Sequence, residues 1–276
     1  MILCLPDEAS KEADQWLTEA TGNRHTILID ASTAFRTNKN WAYGFPEMDG
    51  TQREKIRTSR RISNPGCYPT GFIALCRPLV ECGIIPRNAA LSINAVSGYS
   101  GGGKPLVLLH ESEESRDSVE PFGSYGFDLK HKHVGEMTEY SGLDMAPIFH
   151  PSVGSFKQGM LVNVPLHYSQ LRGNANGQEI HNLLTKHYEN SKFVTVMPLV
   201  SHPDKPPSSQ PYLQRSAFLR PDTLKNTNNM ELFVFANDEA KQVILTARLD
   251  NLGKGASGAA VQNLNIAFGV EEGMGL

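Results

Sequence analysis

A chain of 276 residues, 39% of them hydrophobic, is long enough for one large core or two smaller ones and reads as a folded globular protein. Its 26 basic and 29 acidic residues leave a net charge of −3, and no basic block is longer than Arg60 with Arg61. A nucleic-acid footprint is therefore excluded, and a small-molecule partner is expected.

Four cysteines without a C-x-x-C pair argue against a disulfide framework and a zinc ribbon. No basic leader precedes the first apolar run, and nowhere do roughly 18 apolar residues follow one another. Reduced thiols in a cytoplasmic protein with no membrane span are the expectation.

Residues 2–5 form a short apolar run, Asp7 opens a helical pattern, and residues 25–30 form a second apolar run ending in a polar turn. This order of strand, helix and strand predicts a parallel sheet with crossover helices. It also predicts that the chain begins inside a doubly wound domain, with a further strand, glycine loop and helix upstream. After a loop punctuated by glycine and proline through residues 41–46, residues 60–63 read as a short strand that stops at N-P-G. Phe72, Leu75, Cys76, Leu79 and Val80 then recur at helical spacing, so Cys67 is expected at a strand-to-helix turn.

From residue 89 onward strands dominate, at 90–96, 159–167, 193–199, 230–236 and 242–249, and most alternate as antiparallel strands with one open face do. One helix, 176–188, lies among them. Residues 202–211, with four prolines, read as a rigid surface excursion. Residues 255–268 form a helix rich in small residues that is expected to pack back on the first unit. The predicted fold class is α/β plus α+β. A partial Rossmann-type parallel-sheet domain (1–66, completed by 252–276) would join a catalytic and dimerisation domain with a mixed or antiparallel sheet (67–251).

The most specific chemical signal is S-N-P-G-C-Y-P-T-G at 63–71. Proline and two glycines fix a sharp turn that exposes the Cys67 sulfur at the first turn of a helix, where free N–H groups and the dipole favour a thiolate. The structural alternative is a buried cysteine at a tight turn. Cys4, Cys76 and Cys82 lie in apolar patterns and are expected as core residues. His131 and His133, followed by Glu136, offer imidazole for general acid–base work near neutrality. Two histidines one residue apart on a strand would point the same way and suit a metal, but no further spaced ligand accompanies them, so no metal is expected.

The glycine-rich stretch from Gly98 to Lys104 follows a strand, and its N–H groups with one lysine are candidates for a phosphate or carboxylate. A flexible hairpin tip is the alternative. Arg36 ends a strand near the crevice of the parallel sheet. G-K-G-A-S-G at 253–258 matches the dinucleotide fingerprint letter for letter, but neither a second strand nor an acidic partner follows it. It reads as a helix start approaching a cofactor from the far side.

These residues, with L-C-L-P-D at 3–7, D-A-S-T-A at 30–34, Y-G-F-P-E at 43–47, H-K-H at 131–133, P-S-V-G-S-F-K-Q-G at 151–159 and N-L-G-K-G-A-S-G-A-A-V-Q-N at 251–263, make the chain resemble the shorter bacterial N-acetyl-γ-glutamyl-phosphate reductases over nearly its whole length. The resemblance implies NADPH-dependent reduction of N-acetyl-glutamyl 5-phosphate to the semialdehyde in arginine biosynthesis, by a homodimer or homotetramer. It implies that Cys67 displaces phosphate to form a thioester and that His131 or His133 moves the proton. Arg36, Tyr125 and the loop of Ser97 and Gly98 would surround the substrate, and Gly255, Ala256, Ser257, Gly258, Gln262 and Asn263 would lie beside the nicotinamide.

The family's first strand and phosphate loop have no counterpart here, which implies weak NADP binding. The alternatives are an aspartate-semialdehyde dehydrogenase, a Cys/His hydrolase, and a non-catalytic subunit without cofactor.

Overall fold

The computed structural model describes residues 1–23, 25–114, 119–173, 175–199 and 218–276. Strand β1 (Ile2–Leu3) pairs in parallel with β2 (Leu28–Asp30), and helix α1 (Asp7–Gln15) connects them, its first turn carrying Asp7 and Glu8 where the helix dipole favours acid. Strand β3 (Ala42–Tyr43) and helix α2 (Gln52–Thr58) precede β4 (Arg61–Ser63), giving a parallel sheet of order β1-β2-β4-β3. Neither β3 nor α2 was visible in the pattern. Two residues are too few for alternation, and α2 buries a single apolar side chain, Ile56.

Helix α3 (Cys67–Glu81) leaves β4 through Asn64, Pro65 and Gly66 and is buried along most of its length. It lies so close to the second sheet that a methyl group at Gly71 would sit 2.9 Å from Val162 Cγ2. The second sheet is built from β5 (Ser92–Gly98), β6 (Phe122–Ser124), β7 (Ile148–Gly154), β8 (Met160–His167), β9 (Val194–Val196), β10 (Met230–Asn237) and β11 (Gln242–Leu249). Its order is β6-β7-β5-β8-β11-β10-β9. The antiparallel expectation holds for β8, β10 and β11, but β5 runs parallel to β7 and β9 parallel to β10, so the sheet is mixed. His150 and Pro151 interrupt the alternation of β7, which hid it from the pattern.

Helices α4 (Gly103–Glu111), α5 (Val134–Ser141) and α6 (Gly177–Tyr188) complete this part, and α6 corresponds to the helix expected at 176–188. The proline-rich excursion predicted at 202–211 lies outside the described residues.

The chain returns to the first sheet through one π-helical turn (Gly253–Ser257) and helix α7 (Gly258–Phe268). Ala260 and Ile266 of α7 close a small core with Ile27, Ile29, Ile56 and Ile62. The larger core holds α3 against the second sheet and also takes in Tyr43, Phe45 and Met48. Ile266 is 4% exposed, so Ile266→Ala should cost about 2–5 kcal/mol of stability, read as a lower urea midpoint. An unchanged midpoint would show that α7 is not held by this core.

Candidate active site

The nucleophile turn is built on Gly66, which precedes the first helical residue, Cys67. The Gly66 carbonyl accepts from Thr70 N–H at 3.0 Å and Thr70 Oγ1 at 2.9 Å, which locks the first turn of α3. A methyl group at Gly66 would lie 2.7 Å from Arg36 Nη1, from Glu136 Oε1 and from His133 Nε2. Three functional groups from distant parts of the chain thus converge on the backbone just before the sulfur, and only glycine leaves them room.

Glu136 is the hub. Its Oε1 accepts from Arg36 Nη1 at 2.7 Å, while its Oε2 accepts from Tyr43 Oη at 2.7 Å and from the Gly66 N–H at 3.1 Å. The Arg36 and Glu136 side chains are 9% and 2% exposed, so this is a buried pair with its lone pairs well occupied. Arg36 also donates from Nε to the Asn64 carbonyl at 2.9 Å and from Nη2 to the Ala31 carbonyl at 3.1 Å. Arg36, expected beside the substrate, directs three of its N–H groups to the protein and holds the turn before α3.

The helix-dipole argument predicted a thiolate, and in the resting protein burial outweighs it. The Cys67 thiol is pushed up to about 11 by desolvation, against the downward pull of Arg36 and of the Tyr68 N–H. His133 is buried and held well below 6.5 by desolvation first and then by Arg36, His131 and Lys132, so it is a neutral imidazole with an unpartnered Nδ1. The half-buried His131 is lowered by burial and by Lys132.

The two histidines do not sit on a strand. They lie in the turn entering α5, where the His133 N–H donates to His131 Nδ1 at 3.2 Å and the ring centroids are 4.8 Å apart. Among the described residues no group of three His, Cys, Asp or Glu side chains is arranged to hold a metal. Of the cysteines expected in the core, only Cys76 is buried; Cys4 and Cys82 are exposed, Cys4 just past the two-residue β1 and Cys82 just past the last residue of α3.

Tyr125 Oη donates to Tyr68 Oη at 3.4 Å, and Tyr68 Oη donates to the Ser152 carbonyl at 3.2 Å, placing Tyr125 beside the residue that follows Cys67. Ser97 is buried and donates to the Gly98 carbonyl at 3.1 Å. The anion nest expected over Gly98 to Lys104 is not formed. The N–H groups of Gly98, Tyr99 and Ser100 are donated to the carbonyls of Gly159, Phe156 and Lys157, and a methyl group at Gly98 would meet two of these carbonyls at 2.6 Å. The chain continues as a short 3-10 turn into α4, whose Lys104 is exposed with no hydrogen bond or ion pair among the described residues.

The fingerprint glycines have another reason to be there. Gly253 packs on the Thr227 carbonyl and Gly258 on Asn228 and Gly253, while a methyl group at Gly255 would lie 2.8 Å from Cys67 Cβ. The Ala256 carbonyl accepts from Asn64 Nδ2 at 2.9 Å, and exposed Ser257 donates to the Leu252 carbonyl at 2.7 Å. Gln262 is fully buried with both amide ends engaged, by Glu47, Glu272, Lys254 and Asn228. Asn263 donates to the Gly44 carbonyl at 2.8 Å and leaves its Oδ1 buried without a partner. Tyr43, Glu47 and Lys254 carried no site assignment from the sequence; the only hint was that Tyr43 and Glu47 bound the Y-G-F-P-E string.

A parallel sheet handing a cysteine turn to a mixed sheet is the architecture of the semialdehyde dehydrogenases. The structure matches aspartate semialdehyde dehydrogenase II from Vibrio cholerae with a TM-score of 0.67, over 97% of this chain and 78% of that one, at 16% identity. It matches the Francisella tularensis enzyme with a TM-score of 0.66, over 96% and 80%, at 14% identity. The family described as "Semialdehyde dehydrogenase, dimerisation domain" matches residues 67–251.

Among curated proteins the chain is 50% identical to N-acetyl-γ-glutamyl-phosphate reductase 2 of a Nostoc species, over 100% of this chain and 83% of that protein. It is 49% identical to the N-acetyl-γ-glutamyl-phosphate reductase of Rhizobium etli, over 96% and 81%. The chain belongs to the N-acetyl-γ-glutamyl-phosphate reductase family.

A thiol raised to about 11 is nearly all protonated at neutral pH, so iodoacetamide alkylation of Cys67 in the ligand-free protein should keep rising with pH up to about 11. Peptide mapping separates it from Cys4 and Cys82. A plateau near pH 7 would show instead a resting thiolate.

Proposed function

We propose that this protein reduces N-acetyl-glutamyl 5-phosphate to N-acetyl-glutamate 5-semialdehyde and phosphate with NADPH, through a thioester on Cys67, as a step of arginine biosynthesis. The observation that carries the reading is the convergence of Arg36, Glu136 and His133 on Gly66, which presents Cys67 at the start of α3. Membership of the reductase family supports the substrate. The family's description as a dimerisation domain supports a homodimer or homotetramer, with 67–251 as the catalytic and dimerising part and 1–66 with 252–276 as the cofactor part. Among the described residues no helix is long and apolar enough to cross a membrane.

The chain's residues fit the nicotinamide end of NADPH. Gly255 presents bare backbone beside Cys67, and the unpartnered Asn263 Oδ1 is an acceptor for an amide N–H. Gly255, Ala256 and Asn263 are the residues that would hold the ring, with Ser257, Gly258 and Gln262 shaping the turn and helix behind them. Bound NADPH supplies the hydride.

The protein's own part is proton and charge management. As sulfur bonds to the acyl carbon and the carbon–oxygen bond to phosphate breaks, neutral His133 takes the thiol proton and holds it until sulfur is released with the aldehyde. Tyr68, the residue after Cys67, has the His131 and His133 ring centroids 6.2 and 6.0 Å from its own and Tyr125 bonded to its hydroxyl. Depression of His133 keeps its base form available across the neutral range, at the cost of a weaker base.

Cys67→Ser should abolish NADPH oxidation dependent on the acyl phosphate, and His133→Asn should lower kcat about 10²–10⁴-fold. Full reduction by the Cys67→Ser protein would end the reading. A second measurement concerns pH. Since His133 titrates below an ordinary imidazole, the acid limb of kcat/KM should lie below pH 6.5. A limb at or above 6.5 would remove His133 from the role of base.

A further inference from the structure

Outside the proton path, the most unusual buried group is Lys254, whose side chain is 1% exposed. Its Nζ donates to both oxygens of Glu47, at 2.7 and 2.9 Å, and to Gln262 Oε1 at 2.6 Å. It also lies over the rings of Phe45 and Phe193, at 5.5 and 5.8 Å from their centroids. Gln262 Nε2 in turn donates to Glu47 Oε1 at 2.8 Å and to Glu272 Oε1 at 2.7 Å. An ammonium this deep is costly to desolvate, and burial pulls it below the usual lysine value against the opposing hold of Glu47, a carboxylate from the loop after β3. The adjoining residue is Gly255, the one packed against Cys67.

We infer that Lys254 is a positioning residue for Cys67: its ion pair with Glu47 and its bond to Gln262 pin the π-helical turn so that Gly255 stays against the sulfur-bearing residue and fixes the gap above it. The anchor acts at one end of the turn, while the Asp250 carbonyl, accepting from the Gly255 N–H at 2.9 Å, and Asn64, bonded to the Ala256 carbonyl, hold the rest. The inference rests on the reductase reading only for what the gap admits, a nicotinamide beside the acylated thiol.

The test is the rate of Cys67 alkylation by iodoacetamide, which needs neither cofactor nor substrate. Lys254→Met alone would strand the Glu47 charge, so the informative variant is Glu47→Gln with Lys254→Met. That pair removes one charge of each sign and leaves the local field at sulfur nearly unchanged, so a change in rate reports access. Cys76, fully buried, serves as the internal control for general loosening.

With Cys76 still protected, Cys67 should react at least about threefold faster in the double variant, and Gly255→Ala, which adds a methyl over Cys67, should slow it by a similar factor. In the reductase assay the double variant should lose kcat while KM for the acyl phosphate stays within about twofold. A folded double variant whose Cys67 reacts within threefold of wild type overturns the inference. If that variant does not fold, Gln262→Met, which removes the Gln262 bond to Lys254 without changing any charge, carries the same readout with the same threshold. Absence of reduction by the wild-type protein would count against the proposed function, and the alkylation rates would still decide the role of Lys254.

Discussion

The buried carboxylate of Glu136 is the constraint around which the reactive end of α3 is arranged. A carboxylate removed from water is tolerated only when its oxygens are occupied, and here Arg36, Tyr43 and the Gly66 N–H occupy them. Those donors come from the segment after β2, from β3 and from the turn before α3. Satisfying one charge therefore fixes three segments of the chain relative to α5, and the position of Cys67 follows from a requirement of solvation.

The same arrangement explains why the sulfur rests as a thiol. Desolvation is the largest influence on Cys67 and raises it; Arg36 pulls it down, and Glu136, the partner of Arg36, opposes that pull. A permanent thiolate would be open to alkylation and oxidation between turnovers, whereas a protonated sulfur beside a neutral imidazole is unreactive until an electrophile arrives. His133 is kept neutral by burial and by Arg36, so the cation that lowers the thiol also disfavours a charged His133. One guanidinium thus acts on both partners: it makes the thiol easier to deprotonate and keeps the imidazole in its base form, while weakening that base.

Legibility followed the range of the interactions. The cysteine turn could be read because proline and glycine act on their own neighbours, and α3 because its apolar residues recur over several turns. Arg36 and Glu136 are 100 residues apart, Tyr43 and Glu136 are 93 apart, and no local pattern announces such pairs. For the same reason the bonds that hold Arg36 to Glu136, Asn64 and Ala31 carry no signal in the sequence. The glycines between 98 and 104 suggest free N–H groups, but the 156–159 loop accepts those of Gly98, Tyr99 and Ser100, a contact that only the tertiary fold makes. The G-K-G-A-S-G string shows the converse: the letters of a phosphate loop serve three close backbone contacts, one of them with Cys67.

The chain passes between the two sheets at two places, out through the turn into α3 and back through the π-helical turn into α7. These crossings touch each other at Cys67 and Gly255, and Asn64 ties them by its bond to the Ala256 carbonyl. A hinge between the sheets would have to pass through these two crossings, so any relative movement would shear the contact at the sulfur. The buried polar groups cluster there for that reason: Glu136 with Arg36 on one side and Lys254 with Glu47 and Gln262 on the other resist that shear with directional bonds, where apolar packing would let the surfaces slide. Rigidity at the crossing, rather than stability as such, is what these buried charges supply.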